Sequence, residues 1–159
     1  MLIDKSRAPC IMLSYSVLYV VLGILRVCMS ELSAIRLLLV EDQILVRQGL
    51  RSILESNSNV RLVGEARDGE EAIACVEQLQ PRVVLMDINM PKMDGVAATR
   101  QIKTKYPGVA VVGISVTADG YHQAAMRRAG AFEVVSKAST SLDQLYETIE
   151  RAAASADSV

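Results

Sequence analysis

The chain has 159 residues, of which 51% are hydrophobic, and its 18 acidic side chains nearly balance its 17 lysines and arginines. This length suits one domain with an ordinary core, and the charge balance gives no general electrostatic reason to bind nucleic acid or an anionic membrane. Three cysteines without CxxC spacing and a single histidine argue against a disulfide framework or a zinc site. A reducing cytosol is therefore the expected compartment.

The first 34 residues differ in character from the rest. Residues 8–25 carry no charge, which makes them a borderline membrane-span candidate, but no small-x-small cleavage site follows them. Residues 29–31 (MSE) look like an ordinary cytosolic start, so we favour an over-extended start over a membrane anchor for 1–34. We expect a cytoplasmic protein, or a single-pass membrane-anchored one if residues 1–28 are translated.

From Ile35 onward, short apolar runs alternate with helical patterns. Residues 35–40 predict a first strand that ends at Glu41 and Asp42, and residues 60–66 predict a second. Apolar residues recur at helical spacing between these two strands. Asp68, with Glu71 three residues later, predicts a capped start for the next helix.

The run PRVVLMDINMPKMDG, residues 81–95, predicts a third strand over Val83 to Met86. It places Asp87 at the carboxyl end of that strand, and Pro91 ends the extended segment by restricting the residue before it. Asp94 is a plausible N-cap for a helix over 96–105. In an open α/β sheet, ligands bind beyond the carboxyl ends of the strands, so Asp87 is a candidate site residue.

The last third of the chain predicts two more strands and two more helices. Residues 109–115 form a nearly continuous apolar strand that ends at Ser115, and a weaker helix over 119–129 is closed by Gly130. The fifth strand, 132–136, ends at Lys137. A final helix begins after Ser141, which forms a capping pair with Gln144 three residues later. The apolar stripe of this helix contains Leu142, Leu145, Ile149 and Ala152.

Five strands alternating with five helices predict an α/β fold with a doubly wound, five-stranded parallel sheet and helices on both faces. We assign this domain to residues 35–155, between an extension at 1–34 and a tail at 156–159.

Polar side chains stand at four of the five strand ends: Glu41 and Asp42, Asp87, Ser115, and Lys137. Three carboxylates in one crevice repel one another, and oxygen ligands favour a hard cation such as Mg²⁺. Lysine and serine side chains add donors that suit a phosphoryl group. Taken singly, each residue is more often a cap, a turn residue or a solvated charge. Their joint occurrence favours a site.

These residues carry a family resemblance. The motifs VED at 40–42 and MDINMPKMDG at 86–95, together with Ser115 and Lys137, resemble the receiver domain of two-component response regulators. The segment VEDQILVRQGL is most similar to the LuxR-type (NarL/FixJ) transcriptional subfamily. The resemblance implies a flavodoxin-like sheet with strand order 2-1-3-4-5.

The resemblance also implies roles. Asp87 would accept a phosphoryl group from a histidine kinase, a phosphotransfer protein or a small acyl phosphate, and Lys137 would bind a phosphoryl oxygen. Ser115 would act as a switch that reports phosphorylation. The residues that would hold Mg²⁺ are Glu41, Asp42, Asp87 and the backbone carbonyl of Asn89. The protein would take part only in its own phosphotransfer and dephosphorylation, and would not otherwise be an enzyme.

The face formed by residues 119–155 would then change its contacts and could form a homodimer. Two positions of the switch are of second rank: Val116, which follows Ser115, and Val134, which stands where an aromatic residue is common in the family. The subfamily normally continues into a helix-turn-helix domain. These residues contain no DNA-reading element, so no nucleic acid contact is expected, and a membrane is a partner only if 8–25 is a genuine span.

Two alternatives stay open from sequence. One is a Mg²⁺-dependent phosphohydrolase with an aspartyl nucleophile, which usually carries a second acid two residues beyond the nucleophile. Asn89 occupies that position here and disfavours the hydrolase. The other is a degenerate receiver that binds partners without phosphate, which the presence of every acid and of Lys137 disfavours.

Overall fold

A computed structural model of the chain describes residues 34–116 and 120–156. The predicted membrane-span candidate at 8–25 lies outside these residues, and the division at 1–34, 35–155 and 156–159 stays a prediction. Among the described helices, none combines the length and the apolar character that a membrane crossing requires.

Strands and helices alternate through the described residues. The strands are β1 (Ile35–Val40), β2 (Val60–Ala66), β3 (Val83–Asp87), β4 (Ala110–Ser115) and β5 (Glu133–Ser136). The helices are α1 (Ile44–Glu55), α2 (Gly69–Leu79), α3 (Gly95–Lys105), α4 (Gly120–Ala129) and α5 (Leu142–Ala156).

The strands form one parallel sheet in the order β2-β1-β3-β4-β5. This order confirms the predicted doubly wound, flavodoxin-like architecture. Because all strands are parallel, their carboxyl ends meet at one edge of the sheet. The residues that follow β1, β3, β4 and β5 are therefore brought to the same edge.

The sheet is covered on both faces. One core cluster joins odd-numbered residues of β1 and β3 to α1 and α5, for example Leu85 to Leu54 and Ile149. The other joins even-numbered residues to α2, α3 and α4, for example Met86 to Met126. Every residue of β3 is buried because both of its faces are covered.

Side-chain caps fix where three helices begin. The Asp68 carboxylate accepts from the N–H of Glu71 over 2.9 Å, and the Asp94 carboxylate accepts from the N–H of Ala97 over 2.7 Å. Before α5, Ser141 and Gln144 bond each other's backbone N–H groups reciprocally. These contacts satisfy donors that a helix start leaves free, and they confirm the predicted caps.

Predicted and observed elements differ by a residue at several ends. The structure starts β4 at Ala110 and β5 at Glu133, one residue later than predicted, and extends β3 to Asp87. Helix α3 starts one residue earlier, at Gly95, because Asp94 caps it directly. Gly130 has a φ of +100°, as its predicted place just after α4 requires.

Candidate functional site

Three acidic side chains converge where β1 and β3 end. Val40 pairs with Met86 in the parallel register, so Glu41, Asp42 and Asp87 leave the sheet at the same point. Carboxylate oxygens of the three lie within 4.8 Å of one another. Glu41 has no exposed surface and Asp87 is only 3% exposed. The predicted acidic cluster is thus real, and it is mostly shielded from water.

Lys137 brings an ammonium group to this cluster from the last strand of the sheet. Lys137 follows β5, and its N–H donates to the carbonyl oxygen of Ser115 over 2.8 Å. Its Nζ lies 2.5 Å from Oε2 of Glu41 and 3.1 Å from Oδ1 of Asp87. The two ion pairs connect β5 to β1 and β3, which are not its neighbours in the sheet.

Burial has the largest effect on the pKa values of Asp87 and Glu41. It raises the pKa of Asp87 above its ordinary value of 3.8, although Lys137 and the N–H of Asn89 pull in the opposite direction. It also raises the pKa of Glu41 above 4.5, with the Asp87 charge adding to the effect against the hydrogen bond from Lys137. The local charge is therefore only partly compensated by protein groups.

One carboxylate oxygen of Asp42 has no hydrogen-bond partner. Its Oδ1 atom is buried and receives no hydrogen bond. Asp42 also borders an open cavity of about 550 Å³, whose wall includes Arg67, Asp68 and Lys92. A buried carboxylate oxygen without a donor, beside two further carboxylates, is a donor set that fits a hard divalent cation.

The other predicted site residues lie around this cluster. Ser115 ends β4, pairs with Ser136 in the register, and is fully buried. Asn89 is exposed, and its backbone N–H hydrogen-bonds the Asp87 carboxylate. The structure thus brings Ser115 and Asn89 to the edge of the sheet that carries the acids.

A family model described as the response regulator receiver domain matches residues 37–150. The chain belongs to this family. It is a receiver of two-component response regulators.

The receiver is similar to regions of proteins that have different functions. It is 35% identical over 116 residues to the transcriptional regulatory protein DegU of Brevibacillus brevis, covering 73% of this chain and 49% of DegU. It is 43% identical over 104 residues to protein-glutamate methylesterase/protein-glutamine glutaminase 4 of Myxococcus xanthus, covering 65% and 30% respectively. The chain therefore spans half or less of the length of these relatives.

Solved structures agree with this assignment. A LuxR-family response regulator from Aurantimonas sp. SI85-9A1 superposes with a TM-score of 0.73 at 29% identity, covering 77% of this chain and 87% of that one. The response regulator domain of Thermotoga maritima CheB gives a TM-score of 0.70 at 30% identity, covering 76% and 97%.

The two second-rank positions of the receiver have different surroundings. Val134 is partly buried and packs against the core cluster under α2 to α4. Its Cγ2 would lie 3.1 Å from a Cβ placed on Gly113, and the Met126 Cε would lie 2.9 Å from the same point. Val116 is 63% exposed. The space above β4 is therefore closed by Met126 and Val134, without an aromatic ring from β5.

Sequence reasoning missed how closely one glycine approaches the site. A Cβ on Gly95 would lie 2.1 Å from the carbonyl oxygen of Asp87, and the Gly95 N–H donates to Ile88 over 2.9 Å. The sequence indicated only a helix start here. A glycine directly after an N-cap acid is the signal that could have suggested a close backbone approach.

It also missed an arginine. Helical periodicity predicts that Arg47 lies opposite the apolar stripe of α1, yet its guanidinium donates to the carbonyl oxygen of Glu41 over 2.8 Å. The available signal was its position one turn into a helix that directly follows two acids.

Proposed function

We propose that this receiver accepts a phosphoryl group on Asp87 with Mg²⁺ bound by its acidic cluster. The observation that carries the proposal is the contact of Lys137 with Asp87 beside the unpartnered oxygen of Asp42. Three carboxylates near one ammonium leave net negative charge that a divalent cation would offset. Asp87 is held at the edge of the sheet, and Asp42 of the same cluster lines an open cavity.

In the proposed reaction, a carboxylate oxygen of Asp87 attacks phosphorus, and the bond from phosphorus to the donor breaks. The leaving group takes the electron pair of that bond, as a histidine nitrogen or an acyl oxygen would. Lys137 stays within reach of the new phosphoryl oxygens because its ammonium already lies 3.1 Å from Asp87. Its side chain is 12% exposed, so little water competes for this contact.

The proposed Mg²⁺ ligands are the carboxylates of Glu41, Asp42 and Asp87 and the backbone carbonyl of Asn89. The cation would neutralise charge that develops on the transferred group. Glu41 is also held by Lys137 and by the N–H of Gln43, so it orders the ammonium as well as contributing to the cluster. Asp42, with its unpartnered oxygen, is the ligand most open to a cation.

Ser115 is proposed as the residue that reports phosphorylation. It is buried at the end of β4, and its carbonyl already accepts from Lys137. Reorientation of its hydroxyl toward a phosphoryl group would be felt at β5 and α4, where Met126 and Val134 close the core. The contacts affected are those of the face between residues 119 and 155, which is the proposed homodimer surface.

The proposed partners that supply the phosphoryl group are a histidine kinase or a phosphotransfer protein. The proposal limits the chain's own chemistry to gaining and losing this group. A hydrolase acting on other phosphate compounds is disfavoured by position 89, because an asparagine amide does not transfer protons as a second acid would.

Intact-mass measurement after incubation with acetyl phosphate and Mg²⁺ tests the proposal. We expect the chain to gain the mass of one phosphoryl group, and Asp87→Asn to abolish the gain. Asp94→Asn is a matched control, because Asp94 is an acid of the same loop that caps α3. A chain that gains no phosphoryl group would support the phosphate-independent receiver instead. A sizing column run on the same samples tests whether phosphorylation drives dimerisation.

A further inference from the structure

One guanidinium holds the backbone segment that carries two of the proposed Mg²⁺ ligands. Nη1 of Arg47, on α1, donates to the carbonyl oxygen of Glu41 over 2.8 Å, and Nε donates to Oε2 of Glu65 on β2 over 3.1 Å. The Arg47 side chain is only 13% exposed. Its planar fork therefore connects the end of β1 to the neighbouring strand in a position largely shielded from water.

The other polar atoms of Glu41 are fixed by other groups. Its N–H donates to the carbonyl oxygen of Ala66 over 3.0 Å, Oε1 accepts from Gln43, and Oε2 accepts from Lys137. The carbonyl oxygen is the atom that Arg47 holds. This carbonyl belongs to the peptide group that joins Glu41 to Asp42, so a rotation of that group would move the Asp42 carboxylate.

We infer that Arg47 is a positioning residue for the metal ligands Glu41 and Asp42, acting through their shared peptide group. The inference rests on the proposed function, because it presupposes a cation at the acidic cluster. Without the fork, this peptide group can rotate, and the unpartnered oxygen of Asp42 leaves its place in the cluster. Outer contacts that orient metal ligands typically account for about 10-fold to 100-fold in metal affinity.

The positive charge of Arg47 has the opposite effect on the affinity for a cation. A guanidinium near the cluster repels a divalent cation, so removal of the charge alone would tighten cation binding. Positioning predicts weaker binding on substitution, and charge predicts tighter binding. The sign of the change therefore separates the two effects.

Arg51 provides a matched control one helical turn further along α1. It binds the same Glu65 carboxylate through Oε1 over 2.9 Å, and its Nε donates to Glu55. Its side chain is 53% exposed, and it hydrogen-bonds these two glutamates. Its substitution by lysine perturbs the contact with Glu65 and keeps the charge, as Arg47→Lys does, while it leaves the metal ligands alone.

The experiment is a titration of the full chain with Mn²⁺, followed by electron paramagnetic resonance, with Mg²⁺ added as competitor. We expect Arg47→Lys, which keeps the charge and loses the fork, to weaken binding about 10-fold. Arg47→Gln should also weaken it, despite the lost charge, whereas Arg51→Lys should stay within about twofold of wild type. Wild-type affinity in Arg47→Lys, or tighter binding in Arg47→Gln, would overturn the inference.

Glu65→Gln covers the case in which the Arg47 variants do not fold. It retains Arg47 and weakens the acceptor that anchors Nε, so we expect a loss of about threefold, smaller than for the direct substitution. Affinity equal to wild type in this variant would overturn the inference. Asp42→Asn keeps the two proposals distinct. If wild type binds Mn²⁺ no more tightly than Asp42→Asn does, the proposed cation site is wrong. If wild type binds Mn²⁺ more tightly than Asp42→Asn and Arg47→Lys has the affinity of wild type, only the positioning role of Arg47 is wrong.

Discussion

The Nζ atom of Lys137 lies 2.5 Å from Oε2 of Glu41, although the two residues are 96 positions apart in the sequence. The contact joins the segment after β5 to the segment after β1, with β3 and β4 between them in the sheet. It forms only when all of these strands have paired in register. The integrity of the site is therefore coupled to completion of the sheet.

Lys137→Met is expected to destabilise the metal-free protein at neutral pH. It leaves Glu41, which has no exposed surface, and Asp87 without their cationic partner. Removal of one member of a buried pair typically costs about 3–5 kcal/mol, and the residual exposure of Lys137 places the expected loss near the lower limit. Urea unfolding in EDTA measures the change.

Lys92→Met is the control for that variant. Lys92 pairs with Asp68 over 2.6 Å, but its side chain is 66% exposed. Solvent-exposed pairs contribute far less than buried ones, so Lys92→Met should destabilise the protein much less than Lys137→Met. Equal losses in both variants would mean that burial of the Glu41 pair contributes nothing.

Asp87→Asn is expected to stabilise the metal-free protein. Burial raises the pKa of Asp87, so the folded state disfavours its charged form, and asparagine removes that charge with little change in shape. We therefore expect the free energy of unfolding to be higher in this variant than in wild type near neutral pH.

The same substitution should change the pH dependence of stability. Because the folded-state pKa of Asp87 is raised, the stability linked to its protonation is present below about pH 4 and lost as pH rises through the folded pKa. The free energy of unfolding of wild type should then fall more steeply than that of Asp87→Asn above about pH 4. The pKa of Asp68 is lowered, so its contribution to stability changes only below about pH 4, outside the range compared here. Parallel curves for the two proteins would contradict the prediction.

Mg²⁺ should raise the thermal stability of the receiver. A ligand that binds only the folded state adds about 2.7 kcal/mol at 100 times its dissociation constant. Asp42→Asn should lose most of the response, because it removes the charge from the carboxylate with the unpartnered oxygen. Asp68→Asn, which alters an acid on the cavity wall outside the cluster, should keep it. Melting curves in EDTA and in excess Mg²⁺ provide the comparison.

Gly95→Ala is expected to displace Asp87 and to destabilise the fold. The new Cβ would meet the Asp87 carbonyl oxygen at 2.1 Å, a contact with backbone that no rotamer change relieves. Overpacking of this kind typically costs about 1–3 kcal/mol. Phosphorylation by acetyl phosphate should slow as well. Gly108→Ala, where nothing lies within 4 Å of the added Cβ, should do neither.

The strands and the site edge could be predicted from the sequence because their signals are local and repeated, whereas the strand order was implied only by the family resemblance. The apolar runs at β1, β3 and β4 are followed directly by polar residues, and parallel strands place such residues at one edge. Caps such as Asp94 were readable because donor and acceptor are three residues apart. These features need no knowledge of which surfaces meet.

Contacts between distant segments were not readable in the same way. Helical periodicity places Arg47 away from the apolar stripe of α1, and nothing local reveals that β2 supplies Glu65 beside it. The space around Val134 is likewise determined by Met126 and Gly113, on two other elements. Burial of Glu41, and hence the direction of its pKa, depends on the packed fold as a whole.

The carboxylates clustered at the ends of β1 and β3 lower the stability of the domain, but the proposed phosphorylation requires them. Natural proteins tend to lie only slightly above the stability that selection requires, and an amide at position 87 would be the more stable choice here. Selection for stability alone would therefore replace these acidic residues first. A lineage that retains all three carries a continuing thermodynamic handicap, and selection for the exchange of phosphate is what would maintain it.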